Sequence, residues 1–279
     1  MKAGSVPHPL RPPAVRVPVA WPRVFASPTA AGAGAAVVAL GLWQVAVLVT
    51  QVPAYYIPSP LDIAAALWRG RHLYPLHFAY TMYATLAGFA IALLTGVALG
   101  TLVSEVAFLE RTVLPLLVAG QSMPRIALAP IVIVWFGFGI ASKIVLATFS
   151  AFFPIFLSVV HGLGTANQEQ VALLRSFRAS RWQIFRYVKL PNAVPFLMAG
   201  ANVSVIFSML ATIVAEFLGA NRGMGYLIVQ ESNQLDTAGV FATISLLSCA
   251  GLVLHYGIQG LRRRLLGWAT LSELGGSRT

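Results

Sequence analysis

Asn167 to Pro191 reads NQEQVALLRSFRASRWQIFRYVKLP, a charged, helix-patterned stretch set between long apolar blocks, and the contrast decides the fold. Two helix starts are written into it. Asn167 with Gln170, and Ser180 with Gln183, fit the capping box, in which a short polar side chain and a Gln three residues on satisfy the free amides of a first turn. Phe177-Arg178-Ala179 between them leaves room for a tight turn. Val171, Leu174 and Phe177 stand at helical spacing in the first half; Trp182, Ile184, Phe185, Val188 and Lys189 repeat i+3 and i+4 relations in the second. With Arg175, Arg178, Arg181, Arg186 and Lys189, the reading is a short helix pair with apolar faces and five cations.

The surroundings of this stretch are those of an integral membrane protein. Hydrophobic residues make up 58% of the 279, charged residues 10%, and the mean hydropathy is +0.78; soluble domains carry about 25% charged residues. Residues 24–61, 72–104, 144–168, 190–215 and 237–261 contain no Asp, Glu, Lys or Arg. Each exceeds the roughly 20 residues that span a hydrocarbon core. A sixth block, 112–142, is interrupted only by Arg125. The runs are continuous, without the short alternating segments of a barrel, so the expected fold class is all-α with about six transmembrane helices, near 33–51, 78–103, 114–136, 143–162, 194–218 and 239–260.

With an even number of spans both termini share a side, together with the loops after the second and fourth helices. That side collects fourteen cations, among them Arg111, the five of the 167–191 stretch and Arg262 to Arg264, against Arg69, Arg71, Lys143 and Arg222 on the other. The positive-inside rule makes it cytoplasmic. Membrane topology thereby accounts for the net charge of +11 without nucleic acid. The expected organisation is a disordered Pro-rich cytoplasmic tail (1–30), a membrane domain (31–265) and a cytoplasmic C-terminal tail (266–279). A cleaved signal peptide is disfavoured because the first apolar run is long enough to span. Cys249, the single cysteine, reads as a packing residue.

Ala179-Ser180-Arg181-Trp182-Gln183 followed by Val188-Lys189-Leu190-Pro191 resembles the second half of the loop of permease subunits in ATP-binding-cassette importers, whose pattern is E-A-A-x3-G-x9-I-x-L-P. An ordered set of further stretches is similar to the nitrate, sulfonate and taurine branch: Ile57-Pro58-Ser59-Pro60, Pro124 to Pro130, Trp135-Phe136-Gly137, Ala215-Glu216-Phe217 and Gly223-Met224-Gly225. Two departures stand out. Ala172-Leu173-Leu174 replaces the Glu-Ala-Ala, and Arg178 replaces the turn glycine. A glycine there would serve a left-handed backbone, which costs other residues on the order of 1 kcal/mol; either the turn avoids that conformation or contacts of Arg178 offset the cost.

The resemblance implies a transport subunit of the bacterial inner membrane and not an enzyme. It implies a second permease copy, an extracytoplasmic solute-binding protein, and two copies of an ATPase into whose cleft the loop (167–191) inserts. Residues assigned to that coupling are Ala172, Leu174, Phe177, Arg178, Ser180, Arg181, Trp182, Phe185, Leu190 and Pro191. The chain has no G-x-x-x-x-G-K-[ST] phosphate loop, so ATP and Mg are expected on the partner and no cofactor on this chain. The competing reading of the loop is an amphipathic element resting on anionic lipid.

Few polar residues lie inside the spans. Gln121, Ser122, Arg125 and Glu216 are pathway candidates, because an ionisable group within a span is costly and faces protein or water; Arg125 at an interface and Glu216 as a structural anchor are the plainer alternatives. His161 and His255 lack metal-ligand neighbours and read as packing or interfacial residues. Gly88, Ala92, Gly96 and Gly100 form a small-x-x-x-small stripe for helix packing within the subunit or against a second copy. Gly223 to Tyr226 suggests a re-entrant or gating turn, and Ser59-Pro60-Leu61-Asp62 an N-cap opening a short helix. A secondary transporter would show internal repeats and more intramembrane ionisable groups. A membrane enzyme would need a cluster of catalytic side chains.

Overall fold

The computed structural model describes residues 28–120 and 123–266; the expectations for the N-terminal tail, for nearly all of the C-terminal tail, and for Gln121 and Ser122 lie outside those residues. The described residues form helices and turns without a strand: α1 (Pro28–Thr50), α2 (Pro60–Arg69), α3 (Tyr74–Glu105), α4 (Ala107–Gly120), a 3₁₀ turn (Arg125–Leu128), α5 (Ala129–Phe136), α6 (Ile140–Gly164), α7 (Gln168–Ser176), α8 (Arg181–Ile184), a π turn (Phe185–Lys189), α9 (Leu190–Phe217), α10 (Met224–Asn233) and α11 (Thr237–Leu265).

Among the described residues four helices are long and apolar enough to cross a membrane: 74–105, 140–164, 181–217 and 237–265. They contain the second, fourth, fifth and sixth expected spans almost entirely. The first expected span lies in α1, whose apolar described part, Gly34–Thr50, is shorter. The third, expected as one helix over 114–136, is broken. α4 has 14 residues and α5 has 8, about 21 Å and 12 Å of helix against a core of roughly 30 Å. Proline explains the break. Pro124 offers no N–H and drives Met123 away from helical angles, and Pro130 fits only the first turn of a new helix. Gly137, at φ +75°, then stops α5.

α6 is the centre of the packing, held between α3 and α9. The small-residue stripe makes one side of that contact. A Cβ on Gly96 would lie 2.8 Å from Ile155, and one on Gly100 2.9 Å from Val159, both on α6; the stripe therefore packs within the subunit. On α9, Ser204, Ser208 and Thr212 repeat every fourth residue and are fully buried. Ser204 Oγ donates to Ala151 O on α6 (2.8 Å), and Ser208 Oγ to Thr85 O on α3 (2.7 Å). Small side chains let the backbones approach, and the hydroxyls then bridge to carbonyls across the gap.

Helix α2 opens as its sequence requires: Ser59 Oγ accepts from Asp62 N (3.2 Å) and Asp62 Oδ2 accepts from Ser59 N (2.9 Å). Gly223 to Tyr226, read as a turn, instead opens the ten-residue α10, whose Met224 and Leu227 are buried. Cys249 is exposed on α11 and not packed in the core. His161 meets Phe196 edge to face, and His255 lies 2.9 Å from Gln259.

Candidate coupling hairpin and a buried cluster at the opposite end of α9

The 167–191 stretch forms a hairpin between α6 and α9. Asn167 caps α7 by accepting from Glu169 N (2.8 Å) and Gln170 N (3.3 Å), a one-way cap and not the reciprocal box its sequence suggests. Ser180 makes the full box: Gln183 N donates to Ser180 Oγ (3.2 Å), and Gln183 Oε1 accepts from Ser180 N (2.7 Å). Between the caps lies a Schellman turn. Ala179 N donates to Leu174 O (3.0 Å) and Arg178 N to Arg175 O (2.9 Å), which puts Arg178 at the left-handed position that glycine usually takes. Its φ is +56°. The alternative left open by the sequence is thereby decided: the turn keeps the left-handed conformation and Arg178 carries it.

The second leg differs from a separate short helix. α8, the π turn and α9 run on as one 37-residue helix, Arg181–Phe217. Pro191 has no N–H, and the widened turn, with Leu190 N donating to Phe185 O, carries the chain past it. Val171 and Ile184 are buried beneath the hairpin, whereas Phe177 (74% exposed) and Trp182 (64%) stand out from it. Trp182 stacks on Phe185, ring centroids 5.5 Å apart. Ala172, Arg178, Ser180, Arg181 and Leu190 are also exposed, and Leu174, Phe185 and Pro191 are half-buried. Lys189 Nζ pairs with Glu105 Oε1 at the end of α3 (2.7 Å), and Asn192 Nδ2 donates to Gly162 O on α6 (2.8 Å), so the hairpin is anchored to the bundle at its base.

At the far end of α9, Glu216 is 1% exposed. Thr81 Oγ1 on α3 donates to its Oε1 (2.8 Å), Gly225 N at the start of α10 donates to its Oε2 (2.7 Å), and Thr81 Oγ1 accepts from Met224 N (2.8 Å). Gly223, at φ +116°, brings the backbone against this carboxylate, and a Cβ there would collide with it. Gly223 N donates to His77 Nδ1 (3.0 Å), whose ring stacks on Tyr226. Lys143, fully buried at the start of α6, donates to Phe138 O (2.6 Å) and Gly219 O (3.0 Å), tying the α5–α6 and α9–α10 loops together. Glu216 thus faces protein. Its partner Thr81, and His77 and Lys143 that hold the adjoining loops, were not singled out as site residues from the sequence, although an ionisable or polar residue inside an apolar run is the signal that marks them. Of Arg125 only the backbone, in the 3₁₀ turn, is described, and Gln121 and Ser122 lie outside the described residues.

Comparison with known proteins places this geometry. Residues 71–267 match the family described as "Binding-protein-dependent transport system inner membrane component". The chain is 36% identical over 231 residues to the formylaminopyrimidine transport permease protein ThiX of Halalkalibacterium halodurans, covering 81% of this chain and 91% of that one. It is 26% identical over 249 residues to the taurine transport system permease protein TauC of Escherichia coli, covering 84% and 88%. Its fold is shared with a chain of the MetNI methionine ABC transporter, solved in inward-facing conformations, at a TM-score of 0.59 and 22% identity, over 75% of this chain and 98% of that one. The chain therefore belongs to the family of binding-protein-dependent inner-membrane components and is a permease subunit of an ATP-binding-cassette importer.

Proposed function

We propose that two copies of this chain form the membrane pathway of the importer, each engaging one copy of an ATPase subunit through the hairpin at 167–191. The observation that carries this is the shape of the hairpin: a buried base formed by Val171 and Ile184 under an exposed tip bearing Phe177 and Trp182. Aromatic and Arg anchors of this kind concentrate binding energy at protein interfaces. ATP and Mg are bound by the ATPase, whose closure moves the hairpin, and the continuous helix from Arg181 to Phe217 carries that motion through the membrane as a rigid rod. The hairpin end and both termini are cytoplasmic in this reading, following the distribution of cations. α4, the 3₁₀ turn and α5 together make the third of six passes, their irregular backbone lying against protein or water because lipid cannot satisfy it.

The solute is a small organic molecule with a polar or anionic group, handed over by an extracytoplasmic binding protein; relatives named for formylaminopyrimidine and for taurine support that class. Arg125 is the pathway residue proposed for an anionic group, and Arg125→Leu is expected to impair transport while the complex still assembles. Normal transport by that variant would remove Arg125 from the pathway. The deciding experiment is purification of the chain in detergent with its ATPase: two permease and two ATPase copies by intact-complex mass are expected, and a single permease copy, or no ATPase, would overturn the reading.

A further inference from the structure

Between the hairpin and the α3–α4 turn lies a cleft of about 640 Å³, lined by Glu105, Val106, Arg175, Arg181, Ile184 and Lys189 among others. Three cations face one carboxylate there, a balance of +2. Glu105 is already engaged by Lys189 (2.7 Å), and among the described residues neither Arg175 nor Arg181 has an acidic partner. The cleft sits where the apolar run of α3 ends and that of α9 begins, the level at which a bilayer's headgroups are expected. Val106, Ala107 and Ala179 give its lining an apolar part, and Phe108 and Leu190, exposed, follow lining residues directly in the chain. The aromatic tip, Phe177 and Trp182, is not part of its lining.

We propose that this cleft binds the phosphate of an anionic membrane phospholipid, with Arg175 and Arg181 as the phosphate-binding groups. Guanidinium groups match phosphate oxygens with paired donors, and basic pockets between spanning helices on the cytoplasmic side suit lipid headgroups. An apolar rim gives the acyl chains a surface, which an acidic side chain from a soluble partner would not need. The Glu105–Lys189 pair closes the floor and limits the attraction, so the site holds a single headgroup exchangeably. This inference uses the cytoplasmic placement of the hairpin but not its docking to the ATPase.

The test is native mass spectrometry of the full chain in detergent, without ATPase, titrated with phosphatidylglycerol and with phosphatidylcholine. A saturable phosphatidylglycerol adduct preferred over phosphatidylcholine is expected. Arg175→Gln with Arg181→Gln should weaken it by about thirtyfold, from the usual worth of two cations near a lipid surface. Lys at both positions should retain most of the binding, Glu105→Gln should tighten it by freeing Lys189, and Arg262→Gln with Arg263→Gln should leave it unchanged. Millimolar inorganic phosphate should not displace the adduct; displacement would make this a site for free phosphate and overturn the proposal. Wild-type lipid binding by the double Gln variant would also overturn it.

Discussion

At its N-terminal end α9 grows out of a hairpin whose cations and aromatic rings are exposed, with one ion pair and one amide holding it to the bundle. At the other end of this 28-residue helix lies a buried carboxylate with bonds to two other helices. The polar groups are handled in opposite ways because the two ends do different work. A buried polar group must find every partner inside the molecule and thereby locks the backbone around it. Exposed cations and rings commit to no internal partner and leave a surface for another molecule. One end of α9 is locked still; the other, in the proposed reading, is gripped by the ATPase.

The largest expected effect lies at the still end. Glu216→Ala strands the Gly225 N–H, at about 1–3 kcal/mol for an unsatisfied buried group, and removes one hydrogen bond from the Thr81 hydroxyl. The purified chain should then unfold several degrees lower in detergent. Unchanged stability and transport would erase the contrast between the ends. At the gripped end, Phe177→Ala or Trp182→Ala should weaken ATPase capture by about 2 kcal/mol or more while leaving thermal unfolding where it is. Phe185→Ala should do both, since its ring also packs on the core around Ile155 and Leu163. If all three retain stoichiometric ATPase and full stimulation of hydrolysis, the hairpin is a lipid-facing element.

A smaller effect is expected at the turn itself. Arg178→Gly removes a left-handed side-chain residue and should stabilise the hairpin by about 1 kcal/mol, with ATPase capture intact. A loss of capture would show that the Arg178 side chain is itself a contact. The smallest effect belongs to α2. The Ser59 hydroxyl and amide hold the Asp62 carboxyl below the ordinary carboxylate range. Because the folded value is lowered, this stabilisation is present above the unfolded value of about 3.9 and disappears as pH falls through the folded one. Ser59→Ala should cost about 1 kcal/mol near neutral pH and flatten the acid limb of a thermal-stability scan; an unaltered limb would show that the cap does not govern it.

Local chemistry was legible where the residues concerned are neighbours in the chain. The Ser180 box, the Ser59 box and the turn at Phe177–Ala179 each depend on groups three to five residues apart, and each formed at its expected place. The proline break of the third span depends on Pro124 and Pro130, equally local, yet high hydropathy over 112–142 masked it. The run-on from α8 into α9 differs from the expected short helix followed by a separate span near 194–218, because a π turn carries the chain past Pro191.

The sequence by itself determined the membrane setting, the helical class and the existence of the hairpin, because hydropathy and capping are properties of short windows of chain. Only the tertiary structure decided that the glycine stripe of α3 serves α6 and that the small polar residues of α9 bridge to α3 and α6. It alone decided that Glu216 meets Thr81 135 residues away and that Glu105 meets Lys189 84 residues away. These partners are chosen by how the helices cross in space, and no window of sequence contains both members of such a pair.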